Sequence, residues 1–247
     1  MKRLLLAGLL LAIAGTGTAM AQVPDLNSLI PPGEGSAAGR IIQLVALLTV
    51  LSVAPGLLVM VTSFTRIVVA LSFLRSGIGL QSTPANLIMI SLALFMTFYV
   101  MAPTFDRAWR EGVQPLTANE ITEQQAFERI TDPFRDFMLA HVRDRDLALF
   151  DDLAAEHLQI QRAEGEEVGL RVLIPAFMIS ELRRGFEIGF LIALPFLVID
   201  MIVATLTMSM GMMMLPPTVL SLPFKVLFFV LIDGWNILVG GLVRSFF

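Results

Sequence analysis

The sequence predicts an all-α membrane protein: about four long apolar helices in kinked hairpins, with a small α-helical segment between them. Three observations carry this. The chain is 56% hydrophobic and 15% charged, with a mean hydropathy of +0.79, whereas soluble domains are about 45–50% apolar and about 25% charged. Long stretches carry no charge and approach or exceed the roughly 20 residues a helix needs to cross a hydrocarbon core. The charges are gathered instead between residues 106 and 171, which hold 15 of the 21 acidic and 8 of the 17 basic side chains. A net charge of -4 gives no broad basic surface and no expectation of nucleic-acid binding. The chain has no cysteine, which excludes disulfides, thiolate metal sites and cysteine nucleophiles and is compatible with an oxidising compartment.

The elements follow in order. Lys2 and Arg3, the short apolar run Leu4 to Ala14, and Ala19-Met20-Ala21 make a three-part secretory signal. Residues 1–21 are therefore expected to be removed between Ala21 and Gln22, the alternative being an uncleaved signal anchor. Residues 22–39, with Pro24, Pro31, Pro32, Gly33 and Gly35, read as a flexible leader. Residues 40–105 form the first apolar hairpin. Ile41 to Thr65 is uncharged, and Pro55-Gly56 within it predicts a kink or break. Gly77, Gly79 and Pro84 predict a turn, after which Leu87 to Met101 is a helix ending before Pro103.

The acidic segment 106–171 reads as two short helices. Asp132-Pro133 resembles a helix start, since aspartate caps and proline suits the first helical position. Phe134, Phe137, Met138 and His141 then share a face, and Phe150, Leu153, Ala154, His157 and Leu158 mark a second amphipathic stretch. Arg162 to Gly169 is a loop. Residues 172–247 form the second apolar hairpin, with a turn at Met212-Met213-Met214-Leu215-Pro216-Pro217 and a last helix from Val219 to Phe247. Arg66 and Arg75 flank a segment without acids, which the positive-inside rule assigns to the cytoplasm. That puts the mature N-terminus, the 106–171 segment and the C-terminus on the outer, periplasmic side, and the methionine turn on the cytoplasmic side.

Several residues stand out. Asp200, Lys225 and Asp233 lie in apolar helices, where a lone charge costs at least about 2.5–3.5 kcal/mol. Asp200 and Lys225, on adjacent segments, are expected to pair within or between subunits; a proton relay is the functional alternative. Glu181 with Arg184, and Arg183 with Glu187, have the spacing of helical ion pairs. They read equally as local pairing or as a subunit contact. Met208, Met210, Met212, Met213 and Met214 cluster at the turn, and ordinary membrane-helix packing accounts for them on residue type alone. His141 and His157, with Asp152 and Glu156 nearby, lack metal-ligand spacing. No nucleophile–base set, phosphate loop or cofactor fingerprint is present, so neither an enzyme nor a cofactor is expected.

Two runs are more specific than any of these residues. One is Pro175 to Phe190; the other is Pro195 to Thr205, continuing through Met208-Ser209-Met210-Gly211 to Pro217. Together they resemble the two signatures of the FliP family of type III export-gate subunits. The resemblance extends to Met60 to Ile67, Gly79 to Pro84, Ser221 to Lys225 and Val230 to Trp235. One departure is Ala85, where the family pattern leads one to expect a second proline before Asn86.

The resemblance implies a homo-oligomeric gate, a pentamer around a central pore with FliQ and FliR, working with the export proteins FlhB and FlhA in the inner membrane at the flagellar basal body. Unfolded rod, hook and filament proteins would pass through it, and the methionine loop would be the pore's gasket, because flexible, polarizable methionine closes and re-forms around varied chains. A virulence type III gate is the related alternative, although the signal sequence favours the flagellar branch. An ion-conducting channel subunit is the alternative from another class, and a secondary transporter would show a repeat symmetry that is not evident here.

Overall fold

A computed structural model describes residues 37–80, 85–157, 167–211 and 216–247. The cleavage site at Ala21 and Gln22, most of the leader, and Met212, Met213 and Met214 lie outside the described residues. Among those described, the chain is all-helical: α1 (Ala37–Met60), α2 (Phe64–Ile78), α3 (Asn86–Ala108), a π-turn (Trp109–Val113), α4 (Gln114–Thr117), α5 (Glu123–His141), α6 (Asp144–His157), α7 (Leu170–Ser209), α8 (Pro217–Leu231) and α9 (Gly234–Arg244). Contacts divide the chain into a unit up to Leu51 and a unit from Ser52 to Phe247. In the first unit α1 exposes Ile42, Val45 and Leu48.

Asn86–Thr117 and Leu170–Ser209 are each long and apolar enough to cross a membrane. Two bent pairs, Leu44–Met60 with Phe64–Ile78 and Pro217–Leu231 with Gly234–Arg244, raise the number of candidate spans to four. The expected all-α class is borne out, and α2 ends where the Gly77–Gly79 turn was expected, with Gly79 left-handed at φ 91°, but the breaks expected at prolines fall elsewhere. α1 runs through Pro55-Gly56 and stops only at Met60. At the actual break, side-chain hydroxyls take over backbone bonding: Thr65 Oγ1 donates to the Val59 carbonyl at 3.3 Å, and Thr62 Oγ1 accepts from the Phe64 N–H at 3.5 Å.

α3 likewise continues through Pro103, and α7 through Pro175 and Pro195. Packing against neighbouring helices holds such a helix together where proline removes a donor. Asp132-Pro133 is not a helix start. Pro133 is buried inside α5, which begins at a capping box: Thr122 Oγ1 accepts from the Gln125 N–H, and Gln125 Oε1 from the Thr122 N–H. The last apolar run is two helices. Ile232 and Asp233 separate α8 from α9, which bend by 65°, and Asp233 takes a left-handed backbone with φ 53°. Aspartate tolerates that region better than most residues. The next residue must be glycine, since a Cβ on Gly234 would lie 2.3 Å from the Phe229 ring. Ala85, with φ -56° and ψ 145°, holds a backbone conformation before α3 that a proline would also adopt.

The core grows from the three-to-four-residue recurrence of α2. Ile67, Ala70, Leu71, Leu74 and Ile78 are buried on one face, against Met89, Ala93, Met96 and Val100 of α3 and Phe196 of α7. Phe229, Leu238 and Leu242 close it from α8 and α9. A second cluster joins the charged segment to the start of α7 through Met138, Ala154, Leu173 and Phe177. Phe137 is partly buried against both clusters, Phe150 against the second, and Phe134 meets Phe105 edge-on at 5.8 Å.

α2 and α7 approach closely because small residues line their crossing, as in membrane helix pairs. A Cβ on Gly189 would lie 2.6 Å from the Phe73 ring, and one on Gly77 3.0 Å from Phe196. The Gly189→Ala variant is expected to lose about 1–3 kcal/mol, the usual cost of overpacking. Thermal unfolding of the detergent-solubilised chain measures it, with Gly240→Ala, whose Cβ meets open space, as the control.

Candidate functional site

Two ion pairs tie the apolar helices together. The first was not foreseen. Arg66 of α2 and Glu181 of α7 are both fully buried. The guanidinium fork meets the carboxylate with both arms: Nε donates to Oε2 at 2.9 Å and Nη2 donates to Oε1. Nη1 turns to the segment after α9, donating to the Ser245 carbonyl at 2.8 Å and Ser245 Oγ at 3.1 Å. The Phe246 ring lies under the guanidinium, 3.7 Å from centroid to Cζ. Desolvating such a pair costs several kcal/mol per ion, and only bidentate geometry with further hydrogen bonds offsets it.

Glu181 therefore does not use Arg184 as its partner, as the spacing of three suggested; Arg184 is half-buried and lies within Coulombic reach of the Arg66–Glu181 pair. Arg183 and Glu187 do pair, at 3.1 Å on the exposed face, with Arg143 of the α5–α6 turn 3.9 Å from the same carboxylate oxygen.

The second pair joins the arms of the second hairpin. Lys225 Nζ of α8 donates to Asp200 Oδ2 of α7 at 2.6 Å and to the Gly77 carbonyl at the end of α2 at 2.9 Å. Ser221 Oγ, one turn before Lys225, donates to Asp200 Oδ1 at 2.5 Å. Lys225 is buried while Asp200 is partly exposed, and the pair borders a cleft of about 650 Å³ shared with Arg75, Ser76 and Thr218. The expected Asp200–Lys225 pair thus forms within one chain. Asp233 does not join it. It is exposed at the α8–α9 break and accepts from Asn236 Nδ2 at 3.2 Å.

Met208 and Met210 lie where α7 ends, 59% and 69% exposed. Beside them the hairpin arms enclose an apolar groove of about 560 Å³ lined by Ile202, Leu206, Met210 and Phe224. His157 is exposed beside Glu156, whereas His141 packs on Phe137 and Phe246. Among the described residues no group of acids and histidines is placed to hold a metal.

Sequence reasoning missed Arg66 as the partner of Glu181. Arg66 stood in a run without acids and was read only for topology, although an ionisable group inside an apolar run is itself a reason to look for a buried partner.

This arrangement defines a class: an all-helical membrane protein of bent hairpins held in register by buried charge pairs. The FliP family profile matches residues 47–242. The chain is 65% identical over 234 residues to the flagellar biosynthetic protein FliP of Rhizobium meliloti, covering 95% of each chain. It is 65% identical over 238 residues to that of Agrobacterium fabrum, covering 96% of each. Against the FliP of Bacillus subtilis it is 50% identical over 206 residues, 83% of this chain and 91% of the relative. The chain belongs to the FliP family, whose named members are flagellar biosynthetic proteins and not enzymes.

Removing one member of the Arg66–Glu181 pair strands a buried charge, so Glu181→Ala is expected to cost about 3–5 kcal/mol. The double variant Arg66→Met, Glu181→Leu should regain most of it. Yield and melting temperature of the monodisperse protein in detergent give the comparison.

Proposed function

We propose that the chain forms, as a pentamer with FliQ and FliR, the pore wall of the flagellar type III export gate, working with FlhB and FlhA. Its substrates are unfolded rod, hook and filament proteins, and its site is the inner membrane at the flagellar basal body, with residues 106–171 on the periplasmic side. The observation that carries this reading is the pair of exposed methionines, Met208 and Met210, at the end of a hairpin arm anchored by Asp200 and Lys225. Flexible thioethers on a fixed arm suit a seal that closes around chains of any sequence, and Met212, Met213 and Met214 continue the same run. Family membership supplies the flagellar context.

An ion-conducting subunit is the reading favoured by the Asp200–Lys225 cleft. A deletion strain separates the two: loss of hook-protein secretion supports the export gate, and continued secretion rules it out.

Replacing Met208, Met210, Met212, Met213 and Met214 with alanine should let ions leak through the resting gate. Planar-bilayer conductance of the assembled complex reads this directly, and an unchanged conductance removes the gasket role. For Asp200 and Lys225, either charge removed alone should abolish swimming on soft agar. The swap Asp200→Lys with Lys225→Asp should recover it in part, because Ser221 and the Gly77 carbonyl then face groups of the wrong polarity. A proton relay would not be restored by the swap.

A further inference from the structure

The segment after α9 is gripped by a histidine that the export reading does not use. Ser245 and Phe246 pack against Arg66 of α2 and against α5, and Phe246 is 7% exposed. Phe137 of α5 stacks on the Phe246 ring at 6.2 Å, and the His141 ring, one turn further along α5, lies 5.5 Å from it. The two ring nitrogens of His141 face two backbone oxygens. Nδ1 is 2.7 Å from the Phe137 carbonyl oxygen, and Nε2 is 3.2 Å from the Phe246 carbonyl oxygen.

Carbonyl oxygens accept hydrogen bonds and cannot donate. A neutral imidazole carries one N–H, so it can serve one of these two oxygens and must turn a nitrogen lone pair towards the other. Only the imidazolium donates to both. The shorter contact, to Phe137, lies within α5 itself, and a neutral ring that carries its single N–H on Nδ1 keeps it. The longer one, which ties α5 to the segment after α9, is then lost. Histidine is the side chain that ordinarily changes charge between about pH 5 and 8.

We propose that His141 is a proton-operated latch: the imidazolium clasps the Phe246 carbonyl and holds residues 245–246 on α5, and the neutral ring lets go of them.

The charged groups around it are named by their helices. Arg66 approaches from α2 and Glu181 from α7, locked to each other; Arg184 lies behind them on α7. On α6, Asp146 is engaged by Ser180 Oγ at 2.7 Å, and Arg143 before it reaches towards Glu187. Arg244 ends α9. The segment therefore has a permanent hold, Arg66 on Ser245, and a switchable one, His141 on Phe246. Releasing the second loosens the end of α9 from α5 without dismantling the ion pair.

The chain has two histidines, so His157→Gln leaves His141 as the single imidazole. In that full-length background, in detergent, ¹⁵N NMR of labelled histidine should show two ring N–H groups at low pH and loss of the Nε2 proton on raising it. Hydrogen exchange of a peptide covering 242–247, corrected for intrinsic rate, should accelerate about tenfold over the same titration. His141→Phe keeps the ring and removes both donors, so exchange should be fast and independent of pH. His141→Gln donates without titrating, so exchange should be slower and also independent of pH. A ring that stays neutral throughout pH 5–8 overturns the latch. So does titration without a change in exchange, or a pH response that persists in His141→Phe; the pair of measurements on the His157→Gln parent decides even if neither His141 variant folds.

Discussion

The structure depends on one constraint: a guanidinium and a carboxylate taken completely out of water must be saturated by their surroundings or the fold fails. Arg66 and Glu181 meet that demand by recruiting three regions far apart in sequence. α2 supplies the cation, α7 the anion, and the segment after α9 two oxygen acceptors and an aromatic ring. Their satisfaction is mutual, so moving any one of these elements leaves an uncompensated charge. This fixes relative position in a way that apolar contacts between membrane helices do not, since lipid tails are as apolar as leucine. The glycines at the α2–α7 crossing act in the same direction, bringing the backbones close enough for a short, bidentate contact.

The second pair applies the same logic one level along α7. Asp200 and Lys225 bind the arms of a hairpin to each other and, through the Gly77 carbonyl, to the end of α2. Together the pairs hold α2 against α7 near both ends of their contact. Apolar faces are left outside this frame: Leu87, Phe95, Phe98 and Tyr99 on α3, and Phe190, Leu191 and Met201 on α7, are exposed. A surface of this kind needs lipid or other subunits to cover it. Both buried charge pairs are satisfied within the chain, whereas these apolar faces are not covered by it.

Particular residues show what was readable beforehand. The apolar class, the pairing of Asp200 with Lys225 and that of Arg183 with Glu187 follow from charges whose partners lie on the same or the adjacent segment. Arg66 and Glu181 are 115 positions apart, and no local pattern joins them. The helix ends were misread for a related reason. Proline lowers helix stability locally, but whether the helix breaks depends on tertiary packing, which a one-dimensional pattern does not contain. Signals that were purely local, the Thr122–Gln125 capping box and the Asp233-Gly234 turn, were present and marked true boundaries.

The prolines and the real breaks therefore divide the labour. Pro55, Pro103, Pro133, Pro175, Pro195 and Pro223 all sit inside continuous helices. The changes of direction occur where the backbone leaves the helical region and its freed groups find other partners, hydroxyls at Thr62 and Thr65 and a left-handed residue at Asp233. The first break is followed directly by Arg66, and the second begins the helix that leads to Ser245. Both bends thus aim a chain segment at the same buried charge. A straight helix at either place would carry its residues past Glu181, so the broken hairpins follow from the ion pair they serve and not from weakness in the sequence.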